Sequence, residues 1–489
     1  MSTSQSVAVS SKIKENQQYM KDRLGVGVSF DVGFRDVQVM KTDVHLYYVT
    51  GLCDTSVIVQ LLRQIIDIND SESNKAKLKE VIKNRLVHQQ VEPVKKMDEV
   101  VDKLLSGLIV IFIDGESEGF IVDVRQYPGR GPQEPDTEKV VRGSRDGYTE
   151  NIIENTALTR RRIRDERLRH EILQIGERSK TDICIAYIQD VADPQLVKVI
   201  KKELNNISID GLSMAEKTIE EFLVKQGFNP YPLVRYTERP DVAAAHLLEG
   251  HVVITVDTSP SMIITPTTFF HHVQHAEEYR QSPAVGTFIR WTRFLGIFSS
   301  VFLLPLWLLF VLHPNLLPAG LEFIGPSEEG NIPVLVQIIL ADIGIEFLRM
   351  AAIHTPTPLS TAMGLIAAVL IGEIAINVGL FMPEVILYVA ISAIGAFATP
   401  SYELSVANKI TRVLLILSTA LYGPIGFVIG ITILLLFLTR LNSLNTPYLW
   451  PLMPFDGKSI LQIMFRVSVP LEKVRPKITK PRNIRRQSN

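Results

Sequence analysis

Charged residues almost disappear from this chain between Phe294 and Arg440, and this gap limits the possible folds more than any other feature. Only 12 of these 147 residues are Asp, Glu, Lys or Arg, too few for a surface that faces water. Up to Arg293, 80 of 293 residues are charged, as in an ordinary soluble domain. The pattern predicts a soluble part followed by a membrane part. It excludes a purely soluble enzyme and a transporter made only of helices.

The first 289 residues have the patterning of a mixed protein of helices and strands. Short β-rich runs such as DVQVMKTDVHLYYVTG alternate with helical segments such as Asp54 to Asp67, where apolar residues recur at helical spacing. The Pro- and Gly-rich stretch YPGRGPQEP marks a boundary near residue 130. We therefore expect an N-terminal domain of class α+β or α/β with subdomains at 1–130 and 131–289. Because no early apolar stretch resembles a signal peptide, we expect it to be cytoplasmic.

No residues in this domain have the spacing of a catalytic or metal site. Cys53 and Cys184 are isolated, which predicts two buried thiols in a reducing compartment. His271, His272 and His275 lack a carboxylate or cysteine at ligand spacing, which favours a polar interfacial helix. We predict no enzyme activity, no cofactor, no metal and no nucleic-acid partner.

An arginine-rich segment of this domain also favours a structural interpretation. We expect a helix that ends near Gly176 and carries six arginines on a solvated or subunit-contacting face. These arginines are at positions 160, 161, 162, 164, 167 and 169.

The uncharged run 294–312 is the first predicted membrane span. As a helix its 19 residues would extend about 28 Å, against about 30 Å of hydrocarbon in a bilayer. Arg290 and Arg293 precede it, and the loop after it has glutamates but no Lys or Arg, which places the N-terminal domain in the cytoplasm and this loop outside. We predict an all-α polytopic membrane domain over 290–440. Its spans lie at about 294–312, 334–353, 361–382, 384–399 and, broken, 413–439.

The second predicted span carries three charges on one helix face. Asp342, Glu346 and Arg349 are spaced i, i+4, i+7. Each central charge costs about 2.5 to 3.5 kcal/mol on insertion, so the helix should not insert alone. Two interpretations remain open: the stripe faces protein or water inside a bundle, or the helix lies at the membrane interface.

The third predicted span, 361–382, contains the candidate pore. Its one charge, Glu373, has two interpretations: a carboxylate that faces a pore or cavity, or an ion pair with Arg349. The candidate pore-lining residues share one stripe and are Ile366, Val369, Leu370, Glu373 and Asn377. Small residues that permit close helix packing form neighbouring stripes and are Gly364, Ala368, Gly372, Ala375 and Gly379.

The last apolar run, 413–439, is interrupted by Gly423-Pro424, which removes a helix hydrogen bond. Its 27 residues are too few for two full crossings, and one crossing would put the following basic segment outside. That segment, 441–489, has nine basic and two acidic residues. We therefore expect a re-entrant pair of short helices, a cytoplasmic loop carrying Lys409 and Arg412 before it, and a cytoplasmic basic tail after it.

Two long motifs resemble a known family. RYTERPDVAAAHLLEGHVVITVDTSPSMIITP (235–266) and EPDTEKVVRGSRDGYTENIIENTALTRRRIRD (134–165) are similar to the signatures of spore germinant-receptor A subunits, the GerA family. The resemblance covers almost the whole chain. It implies a spore inner-membrane protein that acts in germination, and A subunits that assemble into oligomeric ion channels.

The leading functional hypothesis is therefore a channel subunit that forms a ring and releases cations during germination. The expected partners are the lipid bilayer, further copies of the chain and other germination membrane proteins. Two alternatives remain open: a membrane scaffold or signalling subunit, and part of a machinery that transports a spore solute such as dipicolinate.

Overall fold

The computed structural model describes residues 7–70, 91–127, 138–318, 320–326, 330–354, 364 and 373–487. The chain divides into two units. The α/β unit comprises Met1–Lys225, Val234–Pro266 and Val469–Asn489, and the helical unit comprises Gln226–Leu233 and Thr267–Ser468. The prediction of a mixed α/β N-terminal region followed by a helical part is confirmed.

The α/β unit contains two repeats with one topology. Each repeat has a five-stranded antiparallel sheet, with strand orders β1-β2-β4-β5-β3 and β6-β7-β9-β10-β8. The first repeat consists of α1 (Ile13–Leu24), β1 (Val32–Val39), β2 (Thr42–Val49), α2 (Thr55–Ile66), β3 (Val91–Val94), α3 (Met97–Leu105), β4 (Ile109–Ile113) and β5 (Gly119–Val122). The second consists of α4 (Ile152–Arg162), β6 (Leu168–Ile175), β7 (Thr181–Ile188), α5 (Pro194–Asn205), α6 (Ala215–Val224), β8 (Arg235–Thr237), α7 (Pro240–Glu249), β9 (Val252–Val256) and β10 (Met262–Thr265).

The two repeats agree in individual hydrogen bonds. Asp114 and Asp257 follow the central strands β4 and β9, and each carboxylate accepts from the first backbone N–H of the repeat's leading helix, at 3.0 and 3.2 Å. Asn16 and Asn155 occupy equivalent positions on α1 and α4. Each side-chain amide both donates to and accepts from the backbone of the residue six positions earlier. Such agreement indicates an internal duplication.

Central strand β4 shows why the sheet is covered on both faces. Ile109, Ile111 and Ile113 pack with α2, whereas Val110 and Phe112 pack with α1 and α3. Because side chains alternate across a strand, a continuous apolar run is buried only when both faces are covered. Every residue of β4 is buried accordingly.

The prediction of a helix up to Gly176 is wrong. Helix α4 ends at Arg162, and the chain then forms β6, which pairs with β7 along eight residues. Two of the arginines are also not on a solvated face, because Arg160 and Arg169 are buried. Arg160 donates to Asp31 and Arg169 to the Arg23 carbonyl, 129 and 146 residues earlier in the sequence. Local charge density could not indicate these contacts and predicted exposed side chains instead.

The C-terminal segment is divided between the units. Residues up to Ser468 belong to the helical unit, and those from Val469 return to the second α/β repeat. There the Arg482 N–H donates to the Val191 carbonyl at 3.0 Å, just as the Gln126 N–H donates to the Leu52 carbonyl at 2.9 Å in the first repeat. In the second repeat, this position is therefore occupied by the returning C-terminal segment. In the first repeat, it is occupied by the residues that directly follow β5.

The helical unit is built from helices that run back and forth. The described elements are α8 (Phe269–Val273), α9 (Ala276–Arg280), α10 (Pro283–Leu312), α11 (Val334–His354), α12 (Ala375–Asn377), α13 (Pro383–Phe397), α14 (Tyr402–Arg440), β11 (Asn442–Ser443), β12 (Thr446–Pro447) and α15 (Gly457–Met464). Among the described residues, α10 and α14 are long and apolar enough to cross a membrane.

Helix α14 folds back on itself at Gly423, whose φ of 57° and ψ of −136° are not helical. Side chains from both arms meet the same ring: Thr411 shares a 2.8 Å hydrogen bond with the Tyr231 hydroxyl, and the Phe437 ring lies 6.2 Å from the Tyr231 ring. A Cβ on Gly430 would lie 2.7 Å from the Leu415 side chain. The two arms are therefore antiparallel neighbours.

Lys409 and Arg412 do not lie in a loop, and that prediction is wrong. Both residues are on the first arm of α14, which begins at Tyr402 and is capped by the Ser401 hydroxyl, an acceptor from the Leu404 N–H at 3.2 Å. The helix continues through these two charged residues because Glu346 and Asp342 on α11 form ion pairs with them.

Candidate functional site

One buried guanidinium joins four helices of the helical unit. Arg412 on α14 is 1% exposed and donates to Asp342 on α11, to the Ser392 hydroxyl on α13 at 2.6 Å and to the Ser300 carbonyl on α10 at 3.0 Å. Asp342 is itself 4% exposed. The planar fork of donors on an arginine suits such a multi-helix junction.

Lys409 extends this contact by one helical turn. It pairs with Glu346 and lies 3.7 Å from Asp342. Residues four apart on α11 thus face residues three apart on α14, which aligns two acids with two bases. Removing Asp342 or Arg412 would leave the other as an uncompensated buried charge, which is far more costly than the intact pair. We call Asp342, Glu346, Lys409 and Arg412 the ion cluster.

The predicted charge stripe therefore faces protein, but its third member lies apart. Arg349 sits over two aromatic rings, 4.6 Å from the centre of Tyr402 and 5.9 Å from that of Phe397. These distances are typical of cation–π contacts. Among the contacts of the described residues there is no ion pair between Arg349 and Glu373, so the alternative that Glu373 pairs with Arg349 is not supported.

Close helix packing occurs at glycines that the sequence did not single out. A Cβ on Gly395 of α13 would lie 2.2 Å from the Gly296 carbonyl oxygen of α10, so only glycine fits this crossing. Small residues at helix crossings let backbones approach closely.

The predicted small-residue stripe is only partly described. Ala375 is buried, Gly364 is exposed with open space around it, and Gly379 has a φ of 74° in the turn after α12. Gly379 therefore ends a helix and does not continue a packing stripe up to Met382. Ala368 and Gly372 lie outside the described residues.

The candidate pore residues are partly described too. Glu373 is exposed just before α12, and Asn377 is exposed at its end. Ile366, Val369 and Leu370 lie outside the described residues. Glu373 is thus separate from the ion cluster, whose acids are turned towards basic partners in the same chain.

A second buried ion pair links the two α/β repeats, and the sequence did not indicate it. The Arg160 guanidinium on α4 donates to Asp31 at 2.8 Å, and His170 Nδ1 on β6 lies 3.1 Å from the same carboxylate. Burial by itself raises the pKa of Asp31, but Arg160 and His170 together hold it well below its usual range. Burial lowers the pKa of His170. The repeats are therefore joined by an ionised carboxylate without access to water.

The described residues contain no cluster of three or more His, Cys, Asp or Glu side chains that could hold a metal. His272 is buried, His271 caps α8 through Thr268, and His275 caps α9, so the three histidines serve local structure. Cys53 and Cys184 are buried, and burial raises the pKa of Cys53 to about 11, which keeps this thiol protonated and unreactive.

Comparison with known proteins gives concordant matches. A family model described as Bacillus/Clostridium GerA spore germination protein matches residues 18–478. Stage V sporulation protein AF of Bacillus subtilis (strain 168) is 60% identical over 473 residues, which cover 97% of this chain and 96% of that protein. Spore germination protein KA of the same organism is 30% identical over 457 residues, which cover 92% of this chain and 84% of that protein.

Among solved structures, the N-terminal domain of the A subunit of the Bacillus megaterium spore germinant receptor GerK3 is 27% identical, with a TM-score of 0.43. The match covers 54% of this chain and 99% of that chain. The resemblance predicted from the two sequence motifs is confirmed by the family match.

Proposed function

Because the chain belongs to the GerA family of spore germination proteins, we propose that it is a polytopic membrane subunit that assembles into a ring and passes cations during germination. The ring lies in the spore inner membrane and works with other germination membrane proteins. The chain carries out no catalytic reaction and needs no cofactor.

The observation that carries this proposal is the exposed position of Glu373. The acids of the ion cluster are satisfied by bases of the same chain, whereas Glu373 lies on the surface of a unit that contains two membrane-length helices. A carboxylate at such a surface needs water or protein rather than lipid. In a ring this condition is met at the lumen, where several carboxylates at one depth attract cations and repel anions.

Residues on the same predicted stripe complete the proposed lumen. Asn377 adds a polar group beside Glu373, and Ile366 with Val369 or Leu370 forms an apolar constriction. Gly364, Ala368, Gly372 and Ala375 allow neighbouring helices to approach closely.

The helix order supports a topology with both termini in the cytoplasm. At one end of the helical unit, a Cβ on Gly423 would touch His313, and the Asn331 amide reaches the Gly379 carbonyl at 3.4 Å. At the other end lie the start of α10 and the finish of α14. An exposed cysteine at Asn331 should react with an impermeant thiol reagent from outside protoplasts, whereas one at Met214 should not. The opposite result would reverse the topology.

In the scaffold alternative, the intramembrane charges of this chain form ion pairs with partner subunits. The ion cluster counts against that version, because Asp342, Glu346, Lys409 and Arg412 already pair within one chain. An exposed Glu373 remains compatible with a scaffold only if a partner supplies its cation.

The test is to purify the full-length protein, determine its subunit number in nanodiscs by mass measurement, and record cation flux after reconstitution into liposomes. The proposal predicts a closed oligomer and a flux absent from empty liposomes. A stable monomer would rule out the ring. An oligomer without conductance in planar bilayers would rule out the channel and favour the scaffold alternative.

A further inference from the structure

Helix α10 is longer than the hydrocarbon core of a bilayer requires. Its 30 residues, Pro283–Leu312, extend about 45 Å. A bilayer has about 30 Å of hydrocarbon and 40 to 45 Å with its headgroup regions. The uncharged part, 294–312, fills the hydrocarbon core. The 11 residues before it add about 16 Å on one side, whereas the headgroup region of one leaflet is about 5 to 8 Å thick. The residues from about Phe288 to Arg293 therefore correspond in length to the headgroup region.

These first turns expose aromatic side chains where a water-facing helix would be polar. Phe288 is 72% exposed, and Phe288, Trp291, Leu295 and Phe298 follow the spacing i, i+3, i+7, i+10 on one exposed face. The stripe starts before the uncharged run and continues into it without interruption. The apolar surface of the span thus extends past residue 294 towards Pro283.

The positive charges of this segment are turned inwards. Arg290 is buried, and its guanidinium donates to Glu278 on α9 at 2.7 Å; Arg293 pairs with the same carboxylate. Both arginines that precede the span thus share one acidic partner within the protein. They do not require the first turns of α10 to lie in water.

A returning segment packs beside these turns. Arg290 donates to the Gln462 and Ile463 carbonyls at the end of α15, at 3.0 and 2.8 Å. The Trp291 indole N–H donates to the Met464 carbonyl at 2.9 Å, and its ring lies 5.7 Å from the Phe465 ring. Helix α15 is therefore fixed against the extension of α10.

The surface that α15 adds is also apolar. Phe455 is 78% exposed and Leu461 60%, and Phe465 is exposed as well. Tyr279, on α9, is exposed beside the Arg290 guanidinium at 5.4 Å. Large aromatic residues with polar neighbours are typical of membrane–water interfaces. We call Tyr279, Phe288, Trp291, Phe455, Leu461 and Phe465 the collar.

We propose that the collar is a lipid-binding surface that lies in the headgroup region of the cytoplasmic leaflet, with α15 as an interfacial helix. The apolar stripe of α10 from Phe288 to Phe298 then meets lipid along its whole length, and the edge of the headgroup region lies near Phe288 rather than at Arg293. Residues 452–465, which composition assigns to a soluble basic tail, become part of the membrane surface.

Continuity of the stripe favours lipid over a second copy of the chain. On the exposed face of α10 the apolar side chains continue from Phe288 to Phe298, which lies within the span. The exposed Thr292 beside them donates its hydroxyl to the Phe288 carbonyl at 3.0 Å. A protein interface confined to the cytoplasm would end where the bilayer begins. The inference depends on the chain spanning a membrane but not on its conducting ions.

The test places single cysteines in the full-length protein and labels them with bimane in phosphatidylcholine–phosphatidylglycerol nanodiscs. The two native cysteines are buried and should not react. Collar positions are Leu461 and Phe465. Phe298 is the control for a lipid-facing span, and Met214, 70% exposed in the α/β unit, is the control for water. Quenching by lipids with a nitroxide near the headgroup is compared with quenching by iodide.

The proposal predicts that labels at 461 and 465 are quenched severalfold more by the nitroxide lipid than a label at 214, and less by iodide. Iodide quenching equal to that at 214 would overturn the proposal. Protection from both quenchers at 461 and 465 would also overturn it, in favour of a second copy. If the label at 298 were also unquenched by lipid, the membrane premise itself would fail, which separates the two failures.

Discussion

Asp31 is a single carboxylate that holds two repeats together. It is fully buried with Arg160 and His170, so replacing it with asparagine would leave an unpaired guanidinium in the interior. Breaking a buried pair in this way costs about 3 to 5 kcal/mol. We expect Asp31→Asn to reduce the hydrogen-exchange protection of β1 and β6 in the full-length protein.

The matched control for this variant is Asp210→Asn. Asp210 pairs with Arg178, but both side chains are largely exposed, and exposed pairs contribute little to stability. Equal protection in the two variants would show that the buried pair does not join the repeats.

His251 should make the α/β unit sensitive to acid. It is buried with Nδ1 2.8 Å from the Pro266 carbonyl, and burial lowers its pKa to about 4 from an ordinary 6.5. Because the folded state resists protonation, the free energy of unfolding should fall as the pH drops from 6.5 to about 4. The loss amounts to about 3 kcal/mol at the acid end.

Leu108 occupies the equivalent position in the first repeat, which suggests the informative variant. We expect His251→Leu to flatten the dependence of unfolding on pH between 6.5 and 4, measured by urea denaturation at each pH. An unchanged slope would show that other groups cause the acid sensitivity.

At the scale of single residues, the sequence predicted few of the contacts in the ion cluster and around Asp31. It placed Asp342 and Glu346 on one helix face correctly, because i, i+4 spacing depends only on helix geometry. It missed Arg412 and Lys409 as their partners and Asp31 as the partner of Arg160, since each pair is separated by more than 60 residues. Local patterns carry no information about such contacts.

Among the elements, the fold-back of α14 depends on Gly423. Its φ and ψ suit only glycine, and a Cβ there would lie 2.5 Å from the His313 Nε2. We expect Gly423→Ala to destabilise the solubilised protein by about 1 to 3 kcal/mol in thermal unfolding. The control is Gly211→Ala in the α/β unit, where the nearest atom to a Cβ is 3.4 Å away.

A further variant separates the two causes of that destabilisation. Adding His313→Ala to Gly423→Ala should recover the contact part of the loss and leave the backbone strain. If Gly423→Ala unfolded like Gly211→Ala, the fold-back would not depend on this residue.

The element patterns show where sequence reasoning succeeds and fails. The break at Gly423-Pro424 was predicted because Pro removes a helix hydrogen bond. The start of the first arm at Tyr402 was not predicted, because the charges of Lys409 and Arg412 favoured a loop there. The duplication was also visible: LLSGLIVI at 104–111 resembles LLEGHVVI at 247–254, and TDVHLYYV at 42–49 resembles TDICIAYI at 181–188.

For the whole molecule, the order of the two parts could be predicted because charge density reports exposure to water over long stretches. The return of the tail could not, because a basic composition does not reveal a docking surface. The chain leaves the α/β unit at Pro266 and returns at Val469 to complete the second repeat. The helical unit is therefore inserted in the sequence between segments of the α/β unit.

The most direct test of the central claim is the ion selectivity of the reconstituted protein. The reversal potential in planar bilayers under a KCl gradient should show cation selectivity for the native chain. Glu373→Lys should move it towards the anion value, because a ring of lysines repels cations. Asp210→Lys makes the same charge change on the exposed α/β surface and should leave it unchanged. A reversal potential that is the same for both variants would contradict the account.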